Sequence, residues 1–430
     1  MLMWLGYAMV ATFMILIMTK RLSALVALIL VPLVFGVIAG RAGDLGTMAI
    51  DGLGKLAPTA TLLLFAVLFF AIMIDAGLFE PLVRRVLRFS GHDPVRVAIG
   101  TAMIATVVSL DGDGATTALI TITAMLPVYQ RLGMNPMILA VILASANTVV
   151  NLMPWGGPVG RAAASLRIDP ATVFVPLLPT IAAGLVGTFG IAWLLGRSER
   201  RRLAGVAPAG ATVQDDLPAP AEKLSFRRPR LFPVNLLLTL LVLAMAIVHI
   251  VPLPLLFMVA LAVALAINYP ALADQRERLA AHAQNALPIA ILILAAGVFT
   301  GVMAGTGMID AMAKGAMAAV PPGLGPWLGP VTAVLAAPLT FVLSNDAYYF
   351  GVLPVIAQTA AQYGISPAQI ARASLLAQPI HALSPLVAAI YLVTGLLGVE
   401  VGALQRFSLK WACLLTLVLI ASACLTRAII

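Results

Sequence analysis

Three aspartates of this sequence lie at the turns of two segments that otherwise consist of apolar side chains. Asp111 and Asp113 belong to SLDGDGATT, which separates the apolar runs VAIGTAMIATVV and ALITITAMLPV. Asp346 belongs to LSNDAYYFGVLPV, in the second half of the chain. A charged side chain at the centre of a bilayer costs at least about 2.5 kcal/mol unless it faces water or a partner. The three carboxylates are therefore candidate ligands for a metal ion or a proton.

Two further motifs, MPWGGP and PIHALSP, interrupt long apolar runs and add polar side chains to the carboxylates. An interrupted helix exposes unpaired N–H groups and a positive dipole end, which suit an anion. Unwound carbonyl groups and carboxylates suit a cation. The predicted site therefore accepts ligands of both signs. Its candidate substrate-binding residues are Thr116, Thr117, Asn147, Asn151, Trp155, Gly156, Gly157, Arg161, Ser344, Asn345, Tyr348, Gln378, His381 and Ser384.

Several of these residues also have a structural interpretation. The DGDG run resembles the start of a calcium-binding loop, but Ile122 stands where that loop requires a closing glutamate, so an EF-hand is excluded. The same run is compatible with an ordinary exposed turn. Arg161 is either an interfacial anchor or a carboxylate ligand, and His381 is either a packing residue or a functional group beside a helix break. Tyr348 is compatible with packing alone.

The elements that position these residues are expected to be membrane-spanning helices. Of the 430 residues, 62% are hydrophobic and 10% are charged, whereas soluble domains carry about 25% charged residues. Several apolar runs approach or exceed the roughly 18 residues that indicate a spanning helix. The segment 2–18 lacks a basic region and a cleavage site, so it is predicted to be a first span and not a signal peptide. The fold class is an all-α polytopic membrane protein.

Ten spans and two re-entrant hairpins are predicted. Each hairpin holds two apolar arms, too short for comfortable spans, around a polar tip; the alternative is a pair of short spans with an external loop. The hairpins cover 94–130 and 327–363. The spans cover 2–18, 22–40, 58–76, 134–164, 171–196, 231–250, 253–269, 287–305, 366–398 and 405–428.

A polar linker at 197–230 divides the chain into two similar halves, 1–196 and 231–430. Pro58 matches Pro288 at an offset of 230, and Leu-Pro-Val at 126–128 matches Leu-Pro-Val at 353–355 at an offset of 227. Matches that recur in the same order indicate an internal repeat. Since each half holds five spans and one hairpin, and five is an odd number, the two repeats are predicted to be inverted.

The basic residues predict the orientation in the membrane. With both termini outside, the inner side receives 19 of the 26 lysine and arginine residues, eight of them in the linker. This bias explains the net charge of +9, and no nucleic-acid partner is expected. The linker and the first hairpin are therefore predicted on the cytoplasmic side of the cell (inner) membrane, and the second hairpin on the outer side. Impermeant reagents added to intact cells should not reach the linker.

Several motifs together resemble those of a known family, the CitMHS metal–citrate:proton symporters of the ion transporter superfamily. They are TKRLSALVALILVP, PTATLLLFAVLFFAIMIDAGLF, SLDGDGATT, NLMPWGGP, LSNDAYYFGVLPV and QPIHALSPL, and the resemblance covers nearly the whole chain. It implies uptake of citrate complexed with a divalent metal ion, driven by protons. It also implies a homodimer with scaffold and transport domains and an elevator-like displacement. No cofactor is expected, because the metal travels as part of the substrate.

The resemblance also bears on the coupling ion. Related sodium-coupled dicarboxylate carriers have Ser-Asn-Thr at both hairpin tips. Here the second tip keeps Ser344 and Asn345 but continues with Asp346, and the first carries an Asp-Gly repeat. These departures argue against sodium and add acidic groups. His381, with an unperturbed pKa of about 6.5, is predicted to share the coupling proton with Asp113 or Asp346.

Two alternatives remain at this stage. The first is a proton- or sodium-coupled carrier of free di- or tricarboxylates, or of sugar acids, with the same fold. The second is an intramembrane aspartyl protease that uses Asp113 and Asp346, although the chain has no Gly-x-Gly-Asp run. HExxH and GxSxG are absent, which excludes the common zinc-protease and serine-hydrolase motifs. The inverted repeat favours transport over proteolysis.

Overall fold

The computed structural model describes residues 1–204, 226–248, 250–321 and 323–430, and these residues form helices without strands. The predicted linker 197–230 lies in part outside them, since 205–225 are not described. The helices of the first half are α1 (Leu2–Met18), α2 (Ala24–Ile38), α3 (Leu45–Asp75), α4 (Glu80–Ser90), α5 (Pro94–Val108), α6 (Gly114–Leu132), α7 (Pro136–Val150), α8 (Gly157–Leu166) and α9 (Pro170–Leu203).

The second half presents helices in a comparable order. Both halves begin with two short apolar helices, continue with one long helix that contains a proline and a short helix, and then form a hairpin. The inversion of one half relative to the other remains a prediction. The helices are α10 (Phe232–Val248), α11 (Leu253–Asn268), α12 (Leu272–Gly305), α13 (Met308–Ala319), α14 (Leu328–Val342), α15 (Leu353–Ala361), α16 (Pro367–Leu375), α17 (Gln378–His381), α18 (Ala388–Leu397) and α19 (Val401–Leu425).

Seven helices of the described residues are long and apolar enough to cross a membrane, and five more apolar helices are 10–17 residues long. Helix α10 shows how the outer helices meet lipid. It exposes Leu237, Leu240 and Leu241, and contacts the bundle mainly through α11. Exposed apolar side chains of this kind are unfavourable in water but suit a bilayer. The described chain is thus a multi-pass helical membrane protein.

The long helices α3 and α12 pack against each other and differ from their predicted spans. The spans were expected to begin near Pro58 and Pro288, but both helices continue through these prolines toward their N-termini. Neighbouring helices satisfy backbone groups that a proline frees, so proline does not have to start a helix there. The added part of α12 is polar and contains Arg278 and His282. A hydropathy pattern therefore does not predict that the helix extends into this part.

An ionic cluster joins one end of these helices. His282 Nε2 lies 2.6 Å from Asp75 Oδ2, and Arg278 Nη1 lies 3.4 Å from the same oxygen. The guanidinium of Arg278 also stacks on Phe226, which follows the undescribed part of the linker. Side chains that are largely withdrawn from water require such partners. The cluster therefore fixes the end of α3 against α12.

Glycines allow the backbones of α3 and α12 to touch. A Cβ atom on Gly52 would collide with the carbonyl oxygen of Gly297, and one on Gly301 would collide with the carbonyl oxygen of Met48. Small residues permit this close approach between membrane helices, where dispersion contacts replace the hydrophobic effect. The crossing consequently has no side-chain layer between its two backbones at these positions.

Both predicted hairpins appear as two helical arms around an irregular tip. The first consists of α5, a 3₁₀ turn at Ser109–Asp111 and α6. The second consists of α14, an extended turn and a π-helical segment, Ala347–Val352, that leads into α15. π-Helical turns often occur at functional sites because they displace side chains from regular helical positions. Whether the arms re-enter the membrane or span it remains a prediction.

The two motifs predicted to break helices lie where the helices end. Helix α7 ends at Val150, and α8 begins at Gly157, after the residues MPWG. In the second half, α16 and α18 are separated by the single turn of α17 and the PIHALSP motif. A Cβ atom on Gly156 would collide with the carbonyl oxygen of Asn151, so the first break requires glycine at this position. The breaks place both sets of polar residues beside the hairpin tips.

We expect Gly52→Ala to lower the thermal unfolding midpoint, because the new methyl group must separate the α3 and α12 backbones. Overpacking of this kind costs about 1–3 kcal/mol. Gly54→Ala is the matched control on the same helix, since its Cβ atom meets no other atom within 4 Å; it should be neutral or stabilising. Thermal unfolding of both purified variants in detergent measures the difference. Equal midpoints would show that the glycine contact contributes nothing.

Candidate functional site

The tip of the first hairpin uses its two aspartates differently. Asp111 is buried, and one of its carboxylate oxygens accepts a hydrogen bond from the backbone N–H of Asp113 at 2.9 Å. Asp113 caps helix α6: it accepts from the N–H groups of Ala115 and Thr116, both at 3.1 Å, and from the Thr116 hydroxyl at 2.6 Å. Asp113 thus caps a helix, whereas Asp111 is the carboxylate held inside the tip.

Two amide side chains at the end of α7 contact this tip. Asn147 Nδ2 donates to Ser109 Oγ at 3.3 Å and to Thr117 Oγ1 at 3.5 Å. Asn151 Nδ2 donates to Asn147 Oδ1 at 3.0 Å. The remaining oxygen of Asn151, Oδ1, is buried and has no hydrogen-bond partner among the described residues. An unpartnered buried acceptor is costly, so this atom is suited to a ligand that brings a donor or a cation.

Trp155 anchors the first tip to the long helices. Its Nε1 donates to the carbonyl oxygen of Leu110 at 2.9 Å. Its ring stacks on Phe70 of α3, with centroids 5.6 Å apart, and meets Phe257 of α11 edge-on at 4.9 Å. Gly112, with φ of +77°, makes the turn that brings the tip against the indole. These contacts position the tip, and the binding of substrate by Trp155 stays a prediction.

An ion pair joins the two halves of the chain. Arg161 Nε, on α8, lies 2.7 Å from Asp346 Oδ1 at the tip of the second hairpin, and the two side chains are only 20% and 22% exposed. Arg161 Nη1 also donates to the carbonyl oxygen of Gly157 at 3.2 Å. A Cβ atom on Gly157 would lie 3.0 Å from this nitrogen, so glycine leaves room for the guanidinium. Arg161 is therefore paired with a carboxylate of the protein, and its binding of a carboxylate in the cavity stays a prediction.

The second tip contains polar atoms without partners. Ser344 Oγ caps the following turn by accepting from the backbone N–H three residues on, at 3.2 Å. Asn345 Oδ1 and the Tyr348 hydroxyl are buried, and neither has a hydrogen-bond partner among the described residues. Gln378 Nε2 donates to the hydroxyl of Tyr349 at 3.0 Å, which ties α17 to the hairpin. Unsatisfied groups thus occur at both hairpin tips.

His381 and Ser384 hold the second break against α14. Nδ1 of His381 lies 2.7 Å from the carbonyl oxygen of Thr340. A carbonyl oxygen can only accept, so Nδ1 carries the proton of this bond and Nε2 is left as the titrating nitrogen. Ser384 Oγ donates to the carbonyl oxygen of Phe341 at 2.6 Å. Both side chains therefore satisfy carbonyl groups at the C-terminal end of α14.

The predicted residues form two groups. Asp111, Asp113, Thr116 and Thr117 gather with the amides of α7 at the first tip. The second group surrounds the Arg161–Asp346 pair and the second tip. The broken helix α7–α8 belongs to both groups because it carries the amides before its break and Arg161 after it. The predicted site residues do not include Ser109, which lies two residues before Asp111, or Tyr349, which follows Tyr348.

The fold is shared by solved transporters of low sequence identity. The Alcanivorax borkumensis YdaH transporter gives a TM-score of 0.61 at 17% identity, over 90% of this chain and 88% of that chain. Neisseria gonorrhoeae MtrF, from work on a class of antimetabolite efflux pumps, gives 0.62 at 14% identity, over 90% and 84%. At these identities the likeness establishes the fold alone.

Sequence similarity identifies the family. Residues 13–377 match the CitMHS family, described as citrate transporter. The citrate transporter of Bacillus subtilis (strain 168) is 50% identical over 421 residues, 98% of each chain. The Mg(2+)/citrate complex secondary transporter of the same organism is 45% identical over 426 residues, 99% of this chain and 98% of that protein. This chain therefore belongs to the CitMHS family of citrate transporters.

Proposed function

We propose that this protein is a secondary active transporter that imports citrate in complex with a divalent metal ion, together with protons. Its relatives support citrate and a Mg(2+)/citrate complex as cargo. We further propose that it lies in the cell (inner) membrane as a homodimer of inverted repeats, with both termini outside, and moves by an elevator-like displacement. Since its family and relatives are transporters, it is not an intramembrane aspartyl protease.

The Arg161–Asp346 ion pair is the observation that carries this proposal. A ligand that enters between these side chains must replace one charge for each, because an unpaired charge in a poorly hydrated site is unstable. Free citrate would neutralise Arg161 and leave Asp346 beside a further anion. A metal ion alone would leave Arg161 unpaired. A metal–citrate complex supplies a carboxylate to Arg161 and a cation to Asp346 at the same time.

The unpartnered polar atoms support a polar cargo of this kind. Asn151 Oδ1 and Asn345 Oδ1 are acceptors, and the Tyr348 hydroxyl can donate. Citrate brings a hydroxyl group and carboxylates, and a hydrated divalent cation brings water protons. These complementary groups would satisfy atoms that otherwise remain buried without hydrogen bonds. The metal is part of the cargo in this proposal, and the protein needs no resident cofactor.

The membrane potential also favours the complex over free citrate. Moving one negative charge inward against about 100 mV costs about 2.3 kcal/mol, or about 7 kcal/mol for the citrate trianion. A divalent cation reduces the net charge to about minus one, so the electrical cost falls by about two-thirds. Proton symport then compensates for the remaining charge.

Uptake of labelled citrate into proteoliposomes tests the cargo. With a pH gradient imposed, we expect uptake with a divalent metal ion and at least about a tenfold loss in metal-free buffer with excess EDTA. A panel of divalent ions identifies the preferred complex, and a sodium gradient without a pH gradient is the control for the driving ion. Undiminished uptake in EDTA would contradict the proposal and favour the carrier of free carboxylates.

The double-mutant cycle of Arg161→Gln and Asp346→Asn tests whether the two charges are coupled. Each single variant should lose uptake and unfold at a lower temperature. The double variant should be destabilised by about 1–3 kcal/mol less than the sum of the two, since neither charge is left alone. Arg41 and Asp44, 51% and 60% exposed, form a matched control pair whose coupling should be small. If the effects of the two substitutions were additive, the two charges would not be coupled. The cargo would then have no need to replace both partners of the ion pair.

We propose that His381 shares the coupling proton with Asp113 or Asp346. The bond to Thr340 fixes the imidazole through Nδ1, which leaves Nε2 to bind and release the proton. His381→Gln keeps a donor for the Thr340 carbonyl but does not titrate near neutral pH, so the variant should fold and lose pH-driven accumulation. His92→Gln, at an exposed position, is the control. Accumulation with the parent's pH dependence would assign His381 to helix capping and leave the proton to the aspartates.

A further inference from the structure

A cavity of about 250 Å³ lies away from the ion pair, at the C-terminal end of α8. Its other walls come from the end of α12, the start of α13 and the hairpin arm α15. The cavity is therefore bounded by the same two elements that carry the ion pair, α8 with Arg161 and the second hairpin with Asp346. Its wall includes the exposed residues Ala304 and Asp310, so the cavity is in contact with the surface.

Two side chains of opposite charge line this cavity. Arg167, at the end of α8, donates to the carbonyl oxygen of Thr300 and forms no ion pair with another described residue. Asp310, in the first turn of α13, is exposed and accepts from Gln358 Nε2 at 2.8 Å. Neither charge neutralises the other through a contact; Asp51, which acts on Arg167 through its charge, is paired with Lys55.

The cavity thus repeats the combination of charges that is paired at the deeper site. In both places an arginine comes from α8 and a carboxylate comes from the second half of the chain. Arg161 and Arg167 are six residues apart, which corresponds to about 9 Å along a helix. A ligand with a carboxylate for Arg167 and a cation for Asp310 would be the same ligand that can replace the Arg161–Asp346 pair.

We propose that this cavity is a loading site, at which the metal–citrate complex binds before it reaches the Arg161–Asp346 pair. The proposal rests on the proposed function, and adds a second binding site for the same cargo. Arg167 binds a free carboxylate of the complex. Asp310 attracts the metal ion and its coordinated water, and Gln358 orients the Asp310 carboxylate. Under the predicted orientation, the cavity faces the outer side of the membrane.

Protection of an introduced cysteine measures binding at the cavity without transport. Ala304 is exposed and lines the cavity, and the only native cysteines, Cys413 and Cys424, are replaced by alanine. Magnesium citrate should slow alkylation of Ala304→Cys by a maleimide in purified protein. Arg167→Gln and, independently, Asp310→Asn should each raise the protecting concentration about tenfold, equivalent to 1.4 kcal/mol. Arg167→Lys should restore part of the protection.

A matched control separates the cavity from general surface charge. Lys314 lies on α13, one turn after Asp310, and is exposed, but it is not a wall of the cavity. Lys314→Gln should leave protection unchanged. In proteoliposomes, Asp310→Asn should raise the half-saturating concentration several-fold and leave the maximal rate within about twofold, because the deeper site is intact. A merely structural role would lower the maximal rate or the thermal midpoint instead.

The outcomes distinguish this inference from the proposed function. Protection that depends on Arg167 and Asp310 supports the loading site even if the parent protein fails to transport magnesium citrate. Uptake by the parent without any protection at Ala304→Cys overturns the loading site and leaves the proposed function intact. Equal protection by sodium sulfate at the same ionic strength also overturns it, since the cavity would then attract any anion.

Discussion

The need to neutralise charge inside an apolar bundle governs the candidate site. Arg161 and Asp346 come from different halves of the chain, and each would be unstable alone where it lies. Their pairing fixes the position of α8 relative to the second hairpin. A ligand that separates the pair must bring a negative group for Arg161 and a positive group for Asp346; a ligand without charge must leave the pair intact. The carboxylate of Asp113, by contrast, is satisfied locally as a helix cap, which frees it from this constraint.

The remaining parts of the site support this pair from opposite sides. Trp155 and the amides of α7 attach the first tip to the broken helix that ends in α8. Gln378 and His381 attach the second break to the second hairpin. The unpartnered atoms lie at the ends of these well-bonded networks, where a ligand can complete them. The protein thus combines fixed hydrogen bonds for positioning with a few open positions for binding.

Much of this arrangement could be predicted from local sequence signals. Glycine and proline in MPWGGP and proline in PIHALSP indicate the helix breaks, because these residues restrict or free the local backbone. The aspartates indicate the hairpin tips, because a carboxylate in an apolar segment carries a desolvation cost. The predicted starts of the spans in α3 and α12 differ from the helix starts in the structure. Pro58 and Pro288 resemble the first residues of a helix when the neighbouring helices are unknown. The ion pair of Arg161 could not be predicted from sequence, since its partner lies 185 residues away.

Other details depend on tertiary packing and have no sequence signature. The bond from His381 to the Thr340 carbonyl requires α17 to lie against the end of α14, which residue spacing does not indicate. Ser109 was missed because a single small hydroxyl has neither periodicity nor charge. Tyr348 and Tyr349 are adjacent and chemically identical, yet only Tyr349 finds a partner in Gln378. Adjacent residues of a helix point in different directions, so the two side chains meet different neighbours.

The contact between Gly52 and Gly297 has a mechanical consequence. Where two helices meet through side chains, rotamer changes can absorb a shift between them; where backbones touch, no such compliance exists. The contact between α3 and α12 is therefore rigid, and the distance between the two helices cannot adjust by repacking of side chains. The ion pair and the hairpin tips, held by long side chains and single hydrogen bonds, are the compliant part. For the proposed transporter, this contact predicts that α3 and α12 keep the same separation while access to the site changes.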